Sequence, residues 1–101
     1  MYTPYIAILS FKDPGTADIY NGTSSKAARR IHRQLWERIS RKLDSLNAAT
    51  TLNDLKSTGN QLEKLTGNLE GYWSIRINDQ YRICFRFEAG NAIDVFCEDI
   101  Q

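Results

Sequence analysis

Three arginines, Arg76, Arg82 and Arg86, stand at even-numbered positions in the C-terminal half of the chain. The run from Ser74 to Phe85, SIRINDQYRICF, alternates apolar and polar residues, breaks at Asn78-Asp79-Gln80 and then alternates again. That pattern predicts two strands joined by a tight turn. Successive side chains in a strand point to opposite faces, so Tyr72, Ser74 and Arg76 share one side of the first strand, and Arg82, Cys84 and Arg86 one side of the second. Guanidinium groups bind phosphate through two parallel hydrogen bonds, stack on bases and stabilise developing negative charge. Tyr72 adds a surface on which a base could stack. The chemistry suggested is contact with phosphates and bases; the plain alternative is a solvated sheet face whose charge prevents aggregation.

Other chemistry finds less material. Cys84 and Cys97 show no CxxC spacing, and the single histidine, His32, lies far from both, so a zinc site lacks ligands. The cysteines are expected as free thiols, His32 as a surface or edge residue, and no metal is expected.

The elements that must hold the arginines follow from periodicity. Tyr5 to Phe11 predicts an opening strand ended by Asp13-Pro14-Gly15, and Thr16 to Asn21 a short helix stopped at Gly22. Thr23, Ser24 and Ser25 offer N-caps for a long helix over 26–47, whose apolar stripe is Ile31, Leu35, Ile39, Leu43 and Leu46, with Trp36 beside it. Residues 48–60 read as a helical turn and a loop anchored by Leu52 and Leu55. Strands are expected from Gln61 to Leu65 leading into Gly71 to Ile77, then over Gln80 to Phe87 and Ala92 to Ile100. The order gives an α+β fold, with an N-terminal strand, two helices and then a mainly antiparallel sheet covered on one face by the helices. Tyr81, Ile83, Phe85, Trp73, Ile75 and Ile77 should meet the helical stripe, leaving the arginine face to solvent.

The 101 residues are enough for one domain, 1–101, of ordinary globular composition, 42% hydrophobic and 25% charged. No apolar run approaches membrane-spanning length, and the N-terminus lacks a basic region and cleavage site, so a cytoplasmic protein without a membrane partner is expected. The net charge of +1 conceals segregation. From Lys26 to Lys42 stand seven basic residues (Lys26, Arg29, Arg30, Arg33, Arg38, Arg41, Lys42) against Glu37 alone, six positive charges net, while the rest carries five negative. Such a segment suits an anionic partner, or simply a solvated helix face.

The sequence resembles the HigB-like toxins of the RelE/ParE superfamily. The likeness rests on Asn60-Gln61-Leu62-Glu63, Leu65, Gly67, Gly71 and the whole SIRINDQYRICF run. Upstream it includes Ser10-Phe11-Lys12-Asp13, Asp18-Ile19-Tyr20-Asn21-Gly22, Ser25 to Arg29, Arg41 to Asp44 and Leu46 to Thr50. The resemblance implies the compact RelE-like fold and cleavage of messenger RNA in the ribosomal A site, without metal or other cofactor. It implies a helix-turn-helix, HigA-like antitoxin as partner, the pair binding operator DNA through the antitoxin. Arg82 would stabilise the phosphorane and Lys64, near the family's lysine position, would assist. Arg76, Arg86, Tyr72, Asp99 and Gln101 would contact RNA, and Arg29, Arg30 and Arg33 the ribosome. The chain departs from the family where Leu-Lys-Gly-Asp-Arg is replaced by Leu65-Thr66-Gly67-Asn68-Leu69, and where a terminal Asp-Tyr-His is replaced by Asp99-Ile100-Gln101. Neither isoleucine nor glutamine carries a proton near neutral pH. A binding module without catalysis, or a gyrase poison like the ParE branch, therefore stands as the alternative.

Overall fold

A computed structural model of the chain describes residues 8–99. The four β-strands are β1 (Glu63–Lys64), β2 (Trp73–Arg76), β3 (Tyr81–Glu88) and β4 (Asn91–Asp99). They form one antiparallel sheet in the order β1-β2-β3-β4. The hairpin expected in SIRINDQYRICF is present: Ile75 pairs with Ile83, and Arg76 with Arg82. Asn78 shapes its turn by accepting from the backbone N–H groups of Gln80 (2.9 Å) and Tyr81 (2.8 Å). The expected opening strand lies partly outside the described residues. Its remainder runs parallel to β4, with bridges between Ile8 and Ala92 and between Phe11 and Val95.

Asp13-Pro14-Gly15 ends the opening segment and also starts helix α1 (Pro14–Tyr20), two residues earlier than expected. The Asp13 carboxylate accepts from the backbone N–H groups of Gly15 and Thr16, both at 3.2 Å, and Pro14 supplies a first helical residue needing no N–H partner. Position 15 must be glycine because a Cβ there would lie 2.6 Å from the Ala27 carbonyl oxygen.

The long helix expected over 26–47 is broken. Helix α2 spans only Trp36–Ala48, and two separate 3-10 turns, Ala28–Arg30 and Arg33–Leu35, precede it. Local side-chain bonds outcompete helical ones here. Ser25 Oγ accepts from the Ala28 N–H at 3.0 Å while donating to Asp18 at 2.6 Å. Ile31 is extended (φ −104°, ψ 135°), His32 Nδ1 accepts from the Gln34 N–H, and Trp36 Nε1 donates to the Ile31 carbonyl at 2.9 Å. The break keeps Ile31 buried and turns residues 28–30 against α1.

The core is the layer between helices and sheet. Ile31, Ile39, Leu43 and Leu46 meet Ile75, Ile77, Ile83, Phe85 and Val95, all essentially inaccessible to solvent, and Leu55 anchors the loop as expected. Cys84 and Cys97 are buried free thiols. Burial pushes the Cys84 thiol up to about 11 and that of Cys97 up to about 12, so both stay protonated at neutral pH.

The opposite face of the sheet departs from expectation. It is not open: Ser74 and Cys84 are fully buried, and Arg82 and Phe96 nearly so. The segment around β1 folds over it, bringing the Gln61 carbonyl onto Arg82.

Candidate functional site

Arg82 lies at the centre of the covered face. Its Nε donates to Ser74 Oγ at 2.7 Å, and one terminal nitrogen donates to the carbonyls of Gln61 and Ser74. Only 5% of the residue is exposed, and among the described residues it makes no ion pair. Gln61 is itself left-handed (φ +44°), an uncommon conformation for a non-glycine residue, and its carbonyl is bound to the guanidinium. The arginine expected to project into solvent is thus the pin that fastens residue 61 to the sheet.

Lys64 does not join it. Its register partner is Trp73, whose side chain points to the helix-covered face, and its ammonium sits 5.9 Å from the centre of the Trp73 ring. Lys64 and Arg82 therefore occupy opposite faces of the sheet. Arg76, beside Arg82, is ion-paired with Asp79 of the turn. Arg86 pairs with Glu88 at 2.8 Å and with Asp94 at 3.8 Å. A β-bulge between Cys84 and Arg86, at left-handed Asp94 (φ +53°), shifts the register there. Asp99 accepts from Gln80 Nε2 at 3.0 Å, and Gln101 lies outside the described residues.

Arg29, Arg30 and Arg33 were expected to line one helix face, and the broken helix separates them. Arg29 donates to the Ser24 carbonyl, and Arg33 stacks 5.0 Å over the Trp36 ring. Arg30 turns inward to pair with Asp13 and to reach the Cys97 carbonyl.

That turn of Arg30 helps build a cleft of about 360 Å³ lined by Lys12, Asp13, Arg30, Leu69, Phe96, Cys97 and Glu98. Lys12 carries its ammonium 4.9 Å from the Phe96 ring centre and 5.6 Å from that of Tyr72. Tyr72 packs edge-on against Phe96 at 5.7 Å. Register places Glu98 directly across from Arg82, so the cleft and Arg82 share one face. Asp13 is committed: burial raises its pKa, but hydrogen bonds from Thr16 and Arg30, the Arg30 charge and the Gly15 N–H hold the carboxyl below the usual range. The arrangement offers two cations, an aromatic floor and a second carboxylate within one concave surface, which suits a phosphate flanked by a base. Lys12, Phe96 and Glu98 escaped the sequence reading because no periodicity links residues 12 and 30 to β4; only the parallel pairing of the opening segment with β4 does. The aromatic–charge alternation Phe96-Cys97-Glu98 was the one local signal available.

The HigB-like toxin model, described as the RelE-like toxin of a type II toxin–antitoxin system, matches residues 9–99. The chain belongs to the HigB-like toxin family. Toxin HigB-1 of Vibrio cholerae is 37% identical over 91 residues, covering 89% of this chain and 94% of that protein. Endoribonuclease HigB of Proteus vulgaris is 36% identical over 63 residues, covering 62% of this chain and 68% of that one. Among solved structures, the YoeB–YefM complex of Staphylococcus aureus superposes with a TM-score of 0.59 at 20% identity, covering 93% of this chain and 98% of the matched chain. A YoeB/ParE toxin of Agrobacterium tumefaciens gives 0.51 at 23%, covering 92% and 93%. These likenesses establish the α+β toxin fold. In this HigB-like toxin the sheet carries the cleft on the face that holds Arg82. No helix among its described residues is long and apolar enough to cross a membrane.

Proposed function

We propose that this HigB-like toxin is an endoribonuclease that cuts messenger RNA on the ribosome, in the cytoplasm, and is held inactive by a cognate HigA-like antitoxin that also carries the pair to operator DNA. The observation that carries the reading is the cleft in which Lys12 and Arg30 flank Phe96 on the same face as Arg82. The related protein of Proteus vulgaris is named an endoribonuclease. Cleavage needs attack of a ribose 2′-OH on the adjacent phosphate, and cations that stabilise the dianionic phosphorane. Lys12 and Arg30 are placed to neutralise phosphate oxygens, Phe96 and Tyr72 to stack a neighbouring base, and Arg82 to hold the covering segment while adding positive potential from below. Arg76 and Arg86, at the margins, extend the field along an RNA strand.

Induction in bacteria tests the reading. The parent chain should arrest growth, and primer extension should reveal messenger cuts in phase with codons. Lys12→Ala should abolish or sharply reduce both. Growth arrest without RNA cuts would overturn the ribonuclease reading. A binding module that has lost catalysis is the second reading, favoured by the satisfied, buried state of Arg82; it predicts ribosome or antitoxin binding without cuts.

A further inference from the structure

We propose that Glu98 is the catalytic base of this site, the group that takes the proton from the attacking ribose 2′-OH. The inference rests on the ribonuclease reading and names the group that would make it work. Two carboxylates line the cleft, Asp13 and Glu98. Asp13 spends its oxygens capping α1, accepting from Thr16 Oγ1 at 2.7 Å and pairing with Arg30. A carboxylate so engaged is a poor proton acceptor. Glu98 is exposed, and among the described residues it has no hydrogen-bond or ion-pair partner. Its place on β4 is fixed by pairing with Arg82 and by the neighbouring bond from the Cys97 N–H to Thr16 Oγ1 at 3.0 Å. The backbone is thus held while the carboxylate is left unengaged. The other polar groups lining the cleft do not compete: Lys12 and Arg30 are basic side chains without an acceptor, and the thiol of Cys97 stays protonated.

The step balances without a cofactor. The 2′-oxygen forms a bond to phosphorus as its proton passes to the Glu98 carboxylate. The bond from phosphorus to the 5′-oxygen breaks, its electron pair leaves with that oxygen, and water protonates it. The products are a 2′,3′-cyclic phosphate and a 5′-hydroxyl, with no change of oxidation state, and Glu98 returns its proton to solvent. Lys12 and Arg30 face the phosphate oxygens throughout.

The test is single-turnover cleavage of messenger on programmed ribosomes by the purified chain, across a range of pH. Glu98→Gln should lower the rate by about 10²–10⁴-fold, the usual contribution of a general base, with ribosome binding unchanged. Glu98→His should recover part of the activity and show a rise in rate around the imidazole range, near pH 6.5, that the parent lacks. If Glu98→Gln cuts at the parent's rate, the assignment of Glu98 fails and the ribonuclease reading stands. If the parent itself does not cut, both fall. Matching thermal unfolding of parent and variants confirms that a lost rate reports chemistry rather than folding.

Discussion

Arg82 is held by oxygen acceptors from Ser74 and Gln61 rather than by an opposing charge. Truncation would leave the buried acceptors of Ser74 unsatisfied, each at a cost of roughly 1–3 kcal/mol. Arg82→Ala should therefore destabilise the fold by about 3 kcal/mol, read from urea unfolding, and its loss of toxicity would report folding together with chemistry. An unchanged unfolding midpoint would show that the guanidinium has no structural task. Asp13 acts at the same scale. Its folded-state pKa is depressed, so its ionised form stabilises the fold above the ordinary value of 3.8, and that stabilisation is lost as pH falls through the folded value. Asp13→Asn keeps the cap but removes the charge, and should cost about 1 kcal/mol at neutral pH. The difference from the parent should shrink below about pH 3.8 and vanish once both chains are uncharged there; a difference independent of pH would locate the effect in packing instead.

At the scale of elements, the decisive feature is the interruption before α2. A continuous helix would have set Arg29, Arg30 and Arg33 on one surface, where reversing all three would leave the fold intact. With the helix broken, the three separate in kind. Arg29→Glu and Arg33→Glu should change stability by at most about 0.5 kcal/mol, as exposed substitutions usually do. Arg30→Glu should cost clearly more, because it sets two carboxylates against each other beside the Asp13 cap and loses the bond to the Cys97 carbonyl. Thermal unfolding of the three single variants checks the split, and equal midpoints would return Arg30 to the solvated surface. The sheet register matters equally at this scale. Pairing Lys64 with Trp73 sends the lysine to the helix side, whereas pairing Glu98 with Arg82 delivers a carboxylate to the cleft side.

Over the whole molecule, positive charge is concentrated in 26–42, yet the cleft draws one cation from that stretch and one from the opening segment. If Lys12 neutralises a phosphate, Lys12→Ala should weaken binding to programmed ribosomes and lower the slope of log affinity against log salt by about 0.7–0.9. An unchanged slope would place Lys12 off the RNA path. The α+β order, the hairpin at Asn78-Asp79-Gln80, the apolar faces of β2 and β3 and the Ile39–Leu43–Leu46 stripe were legible in the sequence, because each follows from a local period that burial enforces. The family was legible too, since motifs such as the Ser74 to Phe85 run are contiguous. Three things were decided only by tertiary structure. Burial of Ile31 in the core, with Ser25 tied to Asp18 of α1, broke a helix that the apolar spacing allowed. The covering segment at Gln61 buried Arg82, an arginine that alternation alone assigned to solvent. Parallel pairing of the opening segment with β4 brought Lys12 to Phe96 and Glu98, more than eighty positions away along the chain, and no local pattern records a contact made at that separation.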